Sequence, residues 1–302
     1  MSDAGQMRHS EVNLSEVWLA GEGARQNAAR LRREFPRLNV QSTPDSERAA
    51  AIVYAAVWHR EPWDPYSFDD AVLAAIEAGL PLCIATDPME HDTATQVVTR
   101  YQRCLAWPEA RHPGWRDVLR AHRALHDLNK PLVRADYEHA LDARAWMLRL
   151  DPEASVEAQL AILFHDVERL VSEADARIEQ LAPNYQAFKD AHAQEGARMA
   201  DAVLASCGIS SPIRARVAHL IARHESPDGA TEELSLMNDA DVLSFFSLNS
   251  PGYRRYFGRE QTRRKVRYSY ERLSPRRRDR LAHVRLNEDV AEFLREEMAV
   301  AA

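Results

Sequence analysis

Apolar and polar positions follow two rhythms along this chain. In the first third, short apolar runs (Val17 to Ala20, Leu38 to Gln41, Ala50 to Val57, Leu82 to Ala85) are separated by stretches of helical period, such as Arg25 through Leu31 to Phe35 and Phe68 to Ala78. Strands alternating with helices predict a parallel sheet covered on both faces. After Pro108, Pro113 and Gly114 the strand-length runs stop. Apolar residues then recur at helical spacing over Trp115–Asn129, Arg134–Leu150, Ser155–Glu173, Tyr185–Cys207, Pro212–His224 and Leu234–Leu248, with two further pieces before the end. The expected fold class is an α/β N-terminal domain with a Rossmann-like parallel sheet over residues 1–112, followed by an all-α domain over 113–302.

The length of 302 residues and an apolar fraction of 45% suit two cores. A net charge of -7 gives no overall pull toward nucleic acid. Cys83, Cys104 and Cys207 lie far apart, outside any CxxC spacing, and are expected as buried thiols. The first residues lack a basic and apolar leader pattern, and no run of about 18 apolar residues occurs, so the expectation is a cytoplasmic protein with no membrane partner.

Gly21-Glu-Gly23 follows the first strand, but Gln26 stands where a third glycine would complete a dinucleotide fingerprint, and the turn reads as a tight entry to a helix. The Leu19-Ala20-Gly21 strand end and Glu77-Ala-Gly-Leu-Pro81 are similar to nucleoside deoxyribosyltransferases. Ala71 occupies the place of that family's catalytic glutamate, with Asp69 and Asp70 beside it, which points to a ligand-sensing or structural role.

The chemistry gathers in the second half. Gln159-Leu-Ala-Ile-Leu-Phe-His165-Asp166 sets an imidazole and a carboxylate at the end of an apolar run, where an unpaired ionic group costs several kcal/mol. His139, His192, His224 and Asp241 lie on neighbouring predicted helices; imidazoles with carboxylates suit iron, manganese or zinc. His219 is an alternative to the later histidines. Asp239 competes with Asp241, and Glu168 and Glu195 flank the group as outer or solvated acids.

A His, a later His-Asp pair and a final Asp in an Ala-Asp-x-Leu segment, over roughly residues 130 to 248, resemble the HD-domain superfamily of metal-dependent phosphohydrolases. The resemblance implies that His139, His165, Asp166 and Asp241 hold one metal and that His192 and His224 hold a second, with Asp166 bridging. Arg169 falls at the basic position after the pair, suited to phosphate. It further implies two divalent ions, iron or manganese ahead of zinc or magnesium, and hydrolysis of a phosphoester of a nucleotide or small metabolite, with Asp166 and Arg169 as the catalytic residues. The same ligand set is similar to the superfamily's diiron oxygenases of the myo-inositol oxygenase and phosphonate-cleaving kind, in which iron activates dioxygen.

From Arg254 to Arg285 the chain carries thirteen Arg or Lys against three acids, with tyrosines interleaved. This segment could meet nucleic acid, making a regulatory protein with a vestigial site the alternative outside enzymes. It could instead fold over the metals, with Arg263, Arg264, Lys265 and Arg267 binding a small anionic substrate. The plainest reading is a solvated face paired with acids of this chain or of another subunit in an oligomer.

Overall fold

Pro131 opens the helix around which the second half is organised, since a proline at the first helical position forfeits only a donor that had no partner there. The computed structural model describes residues 16–21, 33, 39–41, 52–56, 82–84, 114–151, 154–179, 182–225, 231–284, 286 and 288–301. Its helices are α1 (Trp115–Ala124), α2 (Pro131–Leu150), α3 (Val156–Phe164), the short α4 (Arg169–Ser172), α5 (Tyr185–Ser206), α6 (Ser211–Arg223), α7 (Glu232–Ser244), α8 (Ser250–Arg272) and α9 (Glu288–Ala301). A π-helical turn, Phe245–Asn249, joins α7 to α8, and a 3-10 stretch, Pro275–His283, precedes α9.

This corrects the expected fold class. The part of the chain described with its side chains, 114–301, is all-helical, and no Rossmann-like sheet belongs to it. Upstream, four short stretches, β1 (Glu16–Gly21), β2 (Asn39–Gln41), β3 (Ile52–Ala56) and β4 (Leu82–Ile84), pair in parallel in the order β2-β1-β3-β4. Two of these are three residues long, and α2 approaches the last of them, β4, at one edge of the order. A Rossmann-like layer needs its faces covered, because parallel strands are stable when buried on both sides. The helices expected through Phe35 and over Phe68–Ala78, the Gly21-Glu-Gly23 turn beyond Gly21, Asp69, Asp70, Cys104 and the 112/113 boundary lie outside the described residues.

The helical core is one continuous cluster in which Trp146, Tyr137, Phe164, Phe246 and Phe293 are the largest fully buried side chains. α3 lies deepest: every residue from Ala158 to Phe164 is buried, so it meets neighbours on all sides, as an apolar helix must. Ser155 caps it, its Oγ accepting from Ala158 N at 3.1 Å and donating to Glu233 at 2.6 Å. α5 ends at Gly208, whose φ of 74° carries no steric cost, and Ile209 N–H reaches back to Leu204 O at 3.0 Å. Cys207, expected buried, is only partly covered and is a free thiol. Among the described residues no helix is long and apolar enough to cross a membrane.

One buried acid in this core is a source of instability. Asp142 is fully enclosed; its Oδ2 accepts from Ser247 Oγ at 2.8 Å while Oδ1 has no hydrogen-bond partner. Burial outweighs the help of Ser244 and Ser247 and lifts its carboxyl from 3.8 to about 7. Between those values the folded chain keeps a proton that the unfolded chain has lost, so stability from this group falls as pH rises through that window. Asp142→Asn is expected to gain roughly 2 kcal/mol relative to the parent on moving from pH 5.5 to pH 8, read from urea midpoints in the presence of chelator. An unchanged difference at the two pH values would contradict this.

Candidate metal centre

Two histidines of the centre stand at helix ends. α3 stops at Phe164, and residues 165–168 turn, so the single helix expected over Ser155–Glu173 is broken where the His-Asp pair occurs. His165 Nδ1 donates to Ile162 O at 2.8 Å. His224, at the end of α6, does the same to Ile221 O at 2.6 Å. In each case a carbonyl in the last turn of the helix accepts from Nδ1–H, which fixes the tautomer that leaves Nε2 as a lone pair; Ile221 O also accepts the His224 backbone N–H. His139 Nδ1 pairs with Ser244 Oγ at 2.9 Å, and His192 Nδ1 with Glu168 Oε2 at 2.6 Å. All four imidazoles therefore direct Nδ1 outward to an acceptor and Nε2 inward.

Facing these nitrogens are two carboxylates. His139 Nε2 lies 3.1 Å from Asp241 Oδ1, and His165 Nε2 lies 3.6 Å from the same oxygen. Asp166 turns Oδ1 to His192 Nε2 at 3.1 Å and Oδ2 to His165 Nε2 at 3.6 Å. Two triads result, His139/His165/Asp241 and Asp166/His192/His224, the ligand atoms of each within 4.8 Å of one another. The rings form a contiguous arc, with centroids 5.2 Å apart for His139–His165, 5.4 Å for His165–His224 and 6.1 Å for His192–His224. Asp166 spans the two triads through its two oxygens.

This donor set fits metal ions on a specific ground. The Nε2 atoms of His165 and His224 are buried and without a hydrogen-bond partner, and such orphaned polar atoms in a core call for a missing ligand. Burial lowers the pKa of His165, yet Asp166 and Asp241 outweigh it and lift the imidazole to about 8. His192, pulled down by burial, is raised to about 9 by Asp166 and Glu168. His224 is pushed down by burial to about 4, although Glu225 Oε1 stands 3.5 Å from its Nε2 and works the other way. Asp166 and Asp241 resist burial because Arg169 and Arg272 hold them well below the carboxylate range.

Arg169 does not offer a free fork to phosphate. Nε lies 3.2 Å from Asp166 Oδ2, Nη1 3.0 Å from Glu173 and Nη2 3.2 Å from Glu179. Its guanidinium is engaged along its length in holding Asp166. Arg272, which sequence reasoning missed, does the same for Asp241, with Nη1 at 2.6 Å from Oδ2 and Nη2 at 2.8 Å from Asn238 and 3.2 Å from His224 O. Behind it Lys189, almost fully buried, pairs with Glu225 at 2.6 Å and donates to Tyr268 Oη at 3.0 Å.

The expected substrate arginines are elsewhere. Arg263 and Arg267 reach across to Glu296 and Glu297 of α9, and Arg264 turns to Glu260 and Gln261 along its own helix. Arg254 and Arg259 pair with Asp289, and Phe293 lies under the guanidinium groups of Arg259 and Arg263 at 4.6 and 5.0 Å. The basic face of α8 is thus matched by the acids of α9. Of the four residues Arg263, Arg264, Lys265 and Arg267, Lys265 lines the cavity over the triads.

The neighbouring candidates sort by position as well. Asp239 points away and accepts from Ser274 N and Oγ, both at 2.7 Å, and from Arg277 at 2.8 Å. Glu195 is paired with Arg198 on the surface, and His219 is exposed. The cavity itself, about 130 Å³, is roomier than a site for one water, which needs roughly 10–15 Å³ on the same measure, and has space for a small ligand.

No curated protein and no solved structure matches the chain. A family model matches residues 117–294, which takes in both triads and the cavity, and by that match the chain belongs to the family described as a domain of unknown function, DUF4202.

Proposed function

We propose that this chain is a metal-dependent phosphohydrolase of HD type, with the first ion held by His139, His165 and Asp241, the second by His192 and His224, and Asp166 shared between them. The observation that carries this reading is the uniform inward presentation of four Nε2 atoms around two carboxylates, two of those nitrogens being buried without a partner. Divalent ions held there supply Lewis acidity toward phosphoryl oxygens and a water of lowered pKa for attack on phosphorus.

The chain's own residues prepare that chemistry. Ser244, Glu168 and the carbonyls of Ile162 and Ile221 take the Nδ1 protons and so orient the ligands, the arrangement that most often surrounds metal-bound histidine. Arg169 and Arg272 keep Asp166 and Asp241 ionised inside a buried site. Their role is positioning, which replaces the direct phosphate contact that the sequence suggested for Arg169. A cytoplasmic site of action is part of the same proposal.

The test is a phosphate-release assay with generic phosphomonoesters, run with manganese and with chelator. Manganese-dependent release, lost on chelation, is expected. Two irons per chain with oxygen uptake and no phosphate release would instead favour a diiron oxygenase. The regulatory nucleic-acid reading gains nothing from the geometry, since the arginines of α8 that motivated it pair with α9.

A further inference from the structure

Four cationic side chains reach the cavity above the triads: Arg169, Arg177, Lys265 and Arg272. Three are committed. Arg169 spans Asp166, Glu173 and Glu179; Arg272 spans Asp241, Asn238 and a backbone carbonyl. Arg177 makes a two-pronged contact with Asp136 at 2.7 and 2.9 Å and reaches Leu132 O at 3.3 Å. To bind a substrate, each would have to release a carboxylate that is itself largely enclosed.

Lys265 is different. Among the described residues its ammonium has no hydrogen-bond or ion-pair partner; it stands 5.6 Å from the Phe245 ring centroid and 5.3 Å from that of Tyr268. Its charge is felt by Glu179, another lining residue, whose carboxyl it helps to hold down. An ammonium carries three donors, and a half-buried one placed over ring faces beside a metal-competent centre is poised to receive an anionic oxygen.

A further wall of the cavity is aromatic. Tyr253, Tyr256 and Phe257 line it in succession, with ring centroids 4.4 Å apart for Tyr253–Phe257 and 4.7 Å for Tyr256–Phe257. They come from the segment between the π-helical turn and Gly258, where a φ of 79° breaks the helical path. π-helical turns in α-helices often mark functional sites. Tyr256 is half exposed, at 50%, a large apolar surface with its hydroxyl accepting from Arg177 N at 3.2 Å.

We propose that Lys265 is the specificity-determining residue of this cavity, receiving an anionic oxygen of the substrate, while Tyr253, Tyr256 and Phe257 take a flat ring on its organic part. The ligand class is then a small phosphomonoester of a ring-bearing alcohol or phenol. The inference rests on the hydrolase reading for the phosphoryl group, and on the pocket alone for the ring and the lysine.

The experiment is calorimetry on the full chain loaded with manganese, using phenylphosphonate and methylphosphonate as probes that resist hydrolysis. Phenylphosphonate is expected to bind more tightly than methylphosphonate. Lys265→Met should weaken both by about 10- to 100-fold, the worth of a charged hydrogen bond. Lys265→Arg should retain most of the affinity. Tyr256→Ala with Phe257→Ala should abolish the preference for the phenyl group and leave methylphosphonate binding unchanged. Manganese uptake, read first in the same titration, reports on the hydrolase reading separately. Uptake with no effect of Lys265→Met, or with no phenyl preference, overturns the inference alone; no uptake overturns both.

Discussion

Asp166→Ala, reloaded with manganese, is expected to hold at most one ion per chain and to release phosphate at least about 100-fold more slowly than the parent, since loss of even an outer partner of a ligand costs 10- to 100-fold. The reason is that Asp166 is the carboxylate that faces both triads among the described residues, Oδ1 toward His192 and Oδ2 toward His165. Its removal also leaves Arg169 short of one of three carboxylates. Asp239→Ala is the matched control: this acid anchors the turn at Ser274 and pairs with Arg277, so the variant should lose stability and keep both ions. Metal content by plasma spectrometry, with phosphate release on the same samples, checks both. Two ions retained by Asp166→Ala would place the centre elsewhere.

Lys189→Met should cost about 3–5 kcal/mol of stability, the usual penalty for removing one partner of a buried ion pair. Glu225 would be left buried with the Arg272 guanidinium, at 3.8 Å, as its nearest cation among the described residues. Burial opposes ionisation of Glu225, and it is Lys189 first, then Arg272, that holds its carboxyl far below the usual range. The sign follows: a carboxyl with depressed pKa stabilises the fold above its unfolded value and loses that stabilisation as pH falls. Replacing both partners, Lys189→Met with Glu225→Leu, should recover most of the loss, because two apolar groups of similar size leave no unpaired charge. Urea unfolding of the two variants decides it, and a double variant as unstable as the single would show that the pair is not the cause.

The helices were legible because their caps and periods are local. Ser155 and Gly208 each mark an end by chemistry that acts within one turn, whereas α2 opens at Pro131, ahead of the start at Arg134 that the apolar period suggested. The break at residues 165–168 was not legible, since Val167 and Leu170 continue the apolar period of α3 while the backbone turns away beneath them. The six residues that the fold gathers into the two triads could be singled out from residue type, order and the HD-domain resemblance, but the partners of Arg169 and Arg272 could not. Whether an arginine meets a substrate or a carboxylate depends on partners far along the chain, 31 residues away for Arg272 and Asp241.

The basic run from Arg254 to Arg285 shows the same limit in charge. Its plainest reading, a face paired with acids of this chain, is the one the fold carries, but the partners were not legible: Arg254, Arg259, Arg263 and Arg267 meet Asp289, Glu292, Glu296 and Glu297 one helix later, while Arg272, Arg276 and Arg277 pair with Asp241, Glu232 and Asp239. A pairing offset by about thirty positions has no signature in local composition. In the first third the error ran the other way. Alternating runs suggested a complete layered domain, whereas the described residues there form four short parallel strands and the helical body, 114–301, carries no Rossmann-like sheet.

The account turns on two ions at the His139/His165/Asp241 and Asp166/His192/His224 triads. Purified protein, stripped with chelator and then dialysed against manganese or ferrous iron under reducing, anaerobic conditions, should hold two ions per chain by plasma spectrometry, and His224→Ala should reduce that to one. Protein that takes up no ion under these conditions, or a His224→Ala variant that still takes up two, would contradict it.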